Sequence, residues 1–158
     1  MVLDCSIPTD YFNCPLGVKQ GSPESPTLFS VFIDNLAKEL IATGVGVVIE
    51  TGQDNPESDN SVQTTVTTLL YADDIVVMSE NEEDLQYLLN IVHMWCKKWR
   101  LSVNLLKTNI MHVRNKRKQM SLFRFMLGGE EIKFCNEYKY LGVTINQFLN
   151  FDRISDKM

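Results

Sequence analysis

The run Thr67-Thr68-Leu69-Leu70-Tyr71-Ala72-Asp73-Asp74-Ile75-Val76-Val77-Met78 sets two adjacent acids between two apolar stretches. Threonine, valine and isoleucine favour extended chain, so residues 62–70 and 75–78 are predicted as strands with a break at Ala72-Asp73-Asp74. Within a strand, neighbouring side chains point to opposite faces, whereas at a turn they can converge. The pattern therefore predicts a hairpin with Asp73 and Asp74 at its tip and its two strands in the middle of a sheet. Two like charges in an apolar setting repel each other and resist burial. A bound cation removes both costs. Mg²⁺ takes few protein carboxylates and completes its shell with water and substrate phosphates, so the pair suits phosphoryl transfer from a nucleoside triphosphate. An Asp-Asp turn chosen for its backbone habits alone is the plainer reading of the same residues.

Working outward, Leu28, Phe29, Phe32, Ile33, Leu36, Leu40 and Ile41 recur at helical spacing, with Ser25 placed to cap the helix, Pro26 in its first turn and Gly44 at its end. Residues 45–50 read as a strand, and the polar, turn-rich stretch 51–60 as a surface connection. Asn81 can cap a second helix, with Glu82, Glu83 and Asp84 complementing its dipole and Leu85, Leu88, Leu89, Val92, Trp95 and Trp99 forming a face to pack on a sheet. Stacking of Trp95 or Trp99 on nucleic-acid bases is the less favoured reading. Beyond Trp99 the pattern shortens, and residues 110–113, 122–127, 131–134 and 138–145 read as strands, with Gly128-Gly129 as a tight hairpin turn. This order predicts an α+β fold: an antiparallel sheet with helices packed on one face.

The chain has 158 residues and a formal net charge of −5, which conceals an asymmetry. Residues 1–99 carry 15 acids and 4 bases, while residues 100–158 carry 5 acids and 11 bases. Only the C-terminal third can attract phosphate, most densely at Arg114-Asn115-Lys116-Arg117-Lys118, unless that run is simply a solvated turn. No apolar run reaches membrane-spanning length and the first residues lack a signal-peptide layout, so the expectation is an intracellular protein of nucleus or cytoplasm, neither secreted nor membrane-bound. Cys5, Cys14, Cys96 and Cys135 have no short paired spacing, which disfavours a zinc site and favours reduced thiols.

Upstream of the paired acids stands Gly17-Val18-Lys19-Gln20-Gly21-Ser22-Pro23-Glu24-Ser25-Pro26-Thr27-Leu28-Phe29. Downstream stand Asn104-Leu105-Leu106-Lys107-Thr108 and Tyr138-Lys139-Tyr140-Leu141-Gly142-Val143. In this order and spacing the four segments resemble the reverse transcriptases of non-LTR retrotransposons, although Ser22 and Glu24 stand where many relatives carry Cys and an apolar residue. The resemblance implies a polymerase palm and RNA-templated DNA synthesis by a two-metal nucleotidyl transfer. It implies two Mg²⁺ ions in the complete enzyme, with an RNA template, a DNA primer and deoxynucleoside triphosphates as partners.

By the same resemblance Asp73 and Asp74 are catalytic metal ligands, Lys107 assists the departing pyrophosphate, and Tyr71 lies beside the primer terminus. Gln20 and Gly21 line the template and nucleotide pocket, and Leu141 and Gly142 form the primer grip. The family's first metal-ligating aspartate belongs to a strand upstream of the Gly17 loop, and neither Asp4 nor Asp10 has that setting. Residues 1–146 are thus expected to be a partial fingers and palm domain without its first catalytic strand, and 147–158 the start of a thumb connection. The competing expectation is a catalytically inactive remnant of such an element that at most binds nucleic acid. RNA-templated RNA polymerases share the paired-acid hairpin but usually carry glycine where Ala72 stands, and Gln20-Gly21 also argues against them.

Overall fold

The helical spacing of the first apolar stripe becomes α1 (Ser25–Ile41) in the computed structural model, which describes residues 23–51 and 62–149. The Leu28 N–H bonds the Glu24 carbonyl at 3.0 Å, so the helix starts one residue earlier than expected. Glu24 therefore holds the cap position and Ser25, predicted as the cap, is the first helical residue. Ile33, Leu36, Ala37 and Leu40 are buried, whereas Leu28 and Ile41 are exposed. At 3.6 residues per turn these two lie about 80–140° around the helix from Leu36 and Leu40, off the covered face. The Thr43 hydroxyl donates to the Leu40 carbonyl at 2.7 Å, and Gly44 follows at a φ of +70°.

β1 (Val47–Thr51) pairs antiparallel with β2 (Val62–Val66), Val47 opposite Val66. The strand expected over residues 62–70 is two strands, broken at Thr67. Thr67 is buried, its hydroxyl donates to the Val45 carbonyl, and its own carbonyl accepts from the Met78 N–H at 2.8 Å. One half of the run thereby pairs with β1, while the other, β3 (Thr68–Tyr71), pairs antiparallel with β4 (Asp74–Val77).

α2 (Glu82–Lys98) begins as the sequence predicts: the Asp84 N–H donates to the Asn81 side chain at 2.9 Å, and the Asn81 amide donates back to the Asp84 carboxylate at 2.7 Å. Its face divides between two cores. Leu88, Val92, Trp95 and Cys96 meet Ile33, Leu36 and Leu40 of α1, with Leu70, Ile75 and Val77 of the β3–β4 hairpin against them. Leu89 joins Ile110, Phe125, Leu127 and Ile132 in the second core.

Beyond α2 the strands are far shorter than the apolar runs suggested: β5 (Asn109–Ile110), β6 (Met126–Leu127), β7 (Glu130–Glu131) and β8 (Lys133–Phe134). Apolar residues in this region fill the second core rather than extend ladders. Gly128-Gly129 does turn β6 into β7, at φ of +63° and +95°. The run 138–145 folds back on itself as β9 (Glu137–Tyr140) and β10 (Val143–Asn146). Among the described residues the strands form five two-stranded sheets, four antiparallel and one, β5 with β8, parallel. This mixed α/β arrangement replaces the single sheet expected. The acid-bearing hairpin is a sheet of its own rather than the centre of a larger one, because the preceding ladder is turned aside at Thr67.

Candidate active site

The β3–β4 ladder sets Leu70 opposite Ile75 and Tyr71 opposite Asp74, leaving Ala72 and Asp73 as a two-residue turn. Alternation then sorts the side chains. Leu70, Ile75 and Val77 face the helices, which orients the hairpin, while Leu69, Tyr71 and Asp74 are exposed on the other face. Ala72 sits at a φ of +52° and Asp73 does not, as in a type II′ turn, where glycine is the favoured first residue. Asp73 and Asp74 are both exposed, and their side chains make no hydrogen bond or ion pair with any described residue.

Two adjacent carboxylates without partners among the described residues are hard oxygen donors, the chemistry that suits a divalent cation such as Mg²⁺. They supply part of a coordination shell. Among the described residues no group of three acidic, histidine or cysteine side chains is placed to hold a metal ion. Asp4 and Asp10, and the sequence-predicted Gln20 and Gly21, lie outside the described residues.

Lys107 is exposed on a turn organised by Asn104. The Asn104 carbonyl accepts from the N–H groups of Lys107 and Thr108, both at 3.1 Å, and from the Thr108 hydroxyl at 2.9 Å. Its side-chain oxygen accepts from the Leu106 N–H at 3.1 Å, an Asx turn. Asn104 therefore organises the turn that carries Lys107, and the turn-forming habit of asparagine is the signal in the sequence that points to it. The Tyr138 hydroxyl donates to the Lys107 carbonyl at 3.4 Å, tying this turn to β9.

Leu141 and Gly142 form the tip of the β9–β10 hairpin, at φ of +48° and +87°. Lys107 and the Leu141-Gly142 hairpin are thus joined through Tyr138. No hydrogen bond or ion pair among the described residues joins either of them to Asp73 or Asp74.

Trp95 is only 1% exposed, packed on Phe32 at 5.2 Å between ring centroids, so it cannot stack on a base. Its indole N–H finds no acceptor among the described residues. Trp99, at 40% exposure, leans edge-on against the same phenylalanine. Burial holds the thiols of Cys96 and Cys135 above their ordinary range, and both are free. No described helix is long and apolar enough to cross a membrane.

Residues 4–145 match the family model "Reverse transcriptase (RNA-dependent DNA polymerase)". The chain is 29% identical over 143 residues to the RNA-directed DNA polymerase from mobile element jockey of Drosophila funebris, a match covering 87% of this chain and 14% of that protein. The Drosophila melanogaster jockey polymerase matches with the same identity and coverage. The Pol polyprotein from the type-2 retrotransposable element R2DM of Drosophila melanogaster is 29% identical over 135 residues, or 81% of this chain and 12% of that one. The chain thus spans about one seventh of the length of these curated relatives. No solved structure matches it.

Proposed function

The chain belongs to the reverse transcriptase (RNA-dependent DNA polymerase) family, and from that premise we propose that it is a palm segment of a retrotransposon polymerase that copies RNA into DNA. The observation that carries the reading is the Asp73-Asp74 pair: exposed, without partners among the described residues, on a hairpin whose opposite face is anchored in the core. The reaction is attack of a primer 3′-oxygen on the α-phosphorus of a deoxynucleoside triphosphate. The new phosphodiester bond forms as the bond to pyrophosphate breaks, and the hydroxyl proton is lost to solvent or a base. Divalent metal ions, Mg²⁺ in this proposal, would supply charge neutralisation and a more acidic hydroxyl when bound.

The chain's own residues divide the remaining work. Asp73 and Asp74 would hold the metal ions, and since no third ligand stands beside them among the described residues, a further carboxylate would have to come from elsewhere in the polymerase. Tyr71, on the same face as Asp74, borders the primer terminus. The Lys107 ammonium neutralises or protonates the departing pyrophosphate, and Asn104 holds the turn that carries it. Gln20 and Gly21 line the template and nucleotide pocket, and Leu141 and Gly142 grip the primer.

Primer extension on an RNA template, with Mg²⁺ and deoxynucleotides, tests this in the longest polypeptide that carries these residues. Synthesis that requires Asp73 supports the reading, and synthesis undiminished by Asp73→Ala overturns it. In the 158-residue chain itself, Mn²⁺ should selectively broaden the NMR signals of the Ala72–Asp74 turn, and Asp73→Asn/Asp74→Asn should abolish the effect.

A further inference from the structure

The basic run 114–118 is not a loose solvated loop. The Lys118 N–H donates to the Asn115 carbonyl at 2.9 Å, and the Arg117 N–H donates to the Asn115 side chain at 3.2 Å. Arg114 closes the turn, its Nε donating to the Lys118 carbonyl at 3.2 Å, and seats it on the end of β10: its guanidinium donates to the Gln147 side chain, and its N–H to the Gln147 carbonyl at 2.9 Å. The Phe148 ring carries two of the cations, the Arg114 guanidinium at 5.1 Å and the Lys116 ammonium at 5.8 Å.

Four positive charges are thus collected on five residues of a hydrogen-bonded turn, and no carboxylate pairs with any of them among the described residues. Mutual repulsion opposes such a gathering. The contacts of Arg114 hold the turn, while Lys116, Arg117 and Lys118 are exposed, their charges available to a polyanion. The turn also lies at the far end of the β9–β10 hairpin from Leu141-Gly142, one strand of four residues or about 13 Å away. A ligand reaching both would have to extend at least that far and carry negative charge at the turn, as a nucleic-acid backbone does.

We propose that the 114–118 turn, braced on Gln147 and Phe148, is a sequence-independent phosphate contact for a nucleic-acid duplex. Its assignment to the primer–template duplex rests on the polymerase reading, but its charge chemistry does not. Lys116, Arg117 and Lys118 each neutralise a backbone phosphate, and the fork of Arg117 can do so through two hydrogen bonds.

The test is fluorescence anisotropy of a labelled RNA–DNA duplex with the 158-residue chain, without metal or nucleotide, as salt is raised from about 50 to 200 mM. Arg117→Gln/Lys118→Gln should weaken binding roughly 10- to 100-fold and reduce the slope of log affinity against log salt by about two. Lys97→Gln/Lys98→Gln removes the same charge from the end of α2 and should leave the slope nearly unchanged. Equal effects of the two variants would reveal diffuse attraction and overturn the proposal, as would an unchanged slope or no duplex binding. Preference for phosphatidylserine vesicles over duplex at matched phosphate would overturn the nucleic-acid assignment. Omitting metal and nucleotide keeps this outcome separate from polymerase activity: loss of extension in Asp73→Ala leaves the slope where it was.

Discussion

Two hairpins carry most of the proposed polymerase residues, and they are built to the same plan: four-residue strands, a two-residue turn, and a tyrosine just before the turn. They differ in what holds them. The β3–β4 hairpin inserts Leu70, Ile75 and Val77 into the first core, whereas no residue of β9 or β10 belongs to either core. The second hairpin is tied by polar bonds instead: the Tyr138 hydroxyl to the Lys107 carbonyl at 3.4 Å, and the Arg114 N–H to the Gln147 carbonyl at 2.9 Å. In the proposed polymerase the acids would hold metal ions, which need fixed geometry, and the hairpin anchored by apolar burial supplies it. The proposed primer grip, which would follow a moving duplex, tolerates a polar, more easily opened mounting.

The largest expected difference between them is catalytic. In a polypeptide competent for RNA-templated extension, Asp73→Ala should lower the rate on the order of 10²-fold or more at saturating primer, because it removes a metal ligand. Gly142→Ala should act chiefly by raising the primer concentration needed for half-maximal rate. A larger loss of saturated rate from Gly142→Ala than from Asp73→Ala would reverse the proposed division of labour.

Next is stability. Leu70→Ala should cost about 2 kcal/mol and lower the melting temperature by several degrees, while Ile145→Ala on β10 should cost less than about 1 kcal/mol. Hydrogen exchange should follow the same order, with amides of β9–β10 exchanging before those of β3–β4. Equal costs and equal protection would mean that the second hairpin has apolar support from residues outside those described.

The smallest effects lie in the turns. Ala72, at a φ of +52°, occupies a conformation that glycine adopts without strain, so Ala72→Gly should stabilise the chain by up to about 1 kcal/mol. Gly142→Ala should destabilise by about 1 kcal/mol from backbone strain alone, since nothing lies within 4 Å of the Cβ it would add. Gly46→Ala, just before β1 rather than in a turn, gives the contrasting case: its Cβ would come within 2.7 Å of the Val66 carbonyl oxygen, so it should cost about 2 kcal/mol by collision with β2, as much as Leu70→Ala. Thermal denaturation of the three variants ranks them.

Features set by neighbours in the chain were legible in the sequence. The two helices follow from 3.6-residue spacing, the α2 cap from Asn81 and Asp84, the acidic turn from its apolar flanks, and the Gly128-Gly129 turn from its residues. Each is decided within a few positions, where backbone preference and periodicity dominate. The family motifs were legible too, as a linear order of residues.

What depended on distant partners was not. Residues 62–70 look like one strand, and only the Thr67 hydroxyl finding the Val45 carbonyl divides them between two hairpins. Apolar runs after Trp99 read as ladders, yet Ile110, Phe125, Leu127 and Ile132 are drawn into one core and leave strands of two residues. The 114–118 run reads more readily as a solvated turn, and what seats it on the fold is Gln147 and Phe148, more than 25 positions away. Local chemistry chose the elements; burial and long-range hydrogen bonds, whose partners are brought close only by folding, decided where each element ended and what it faced.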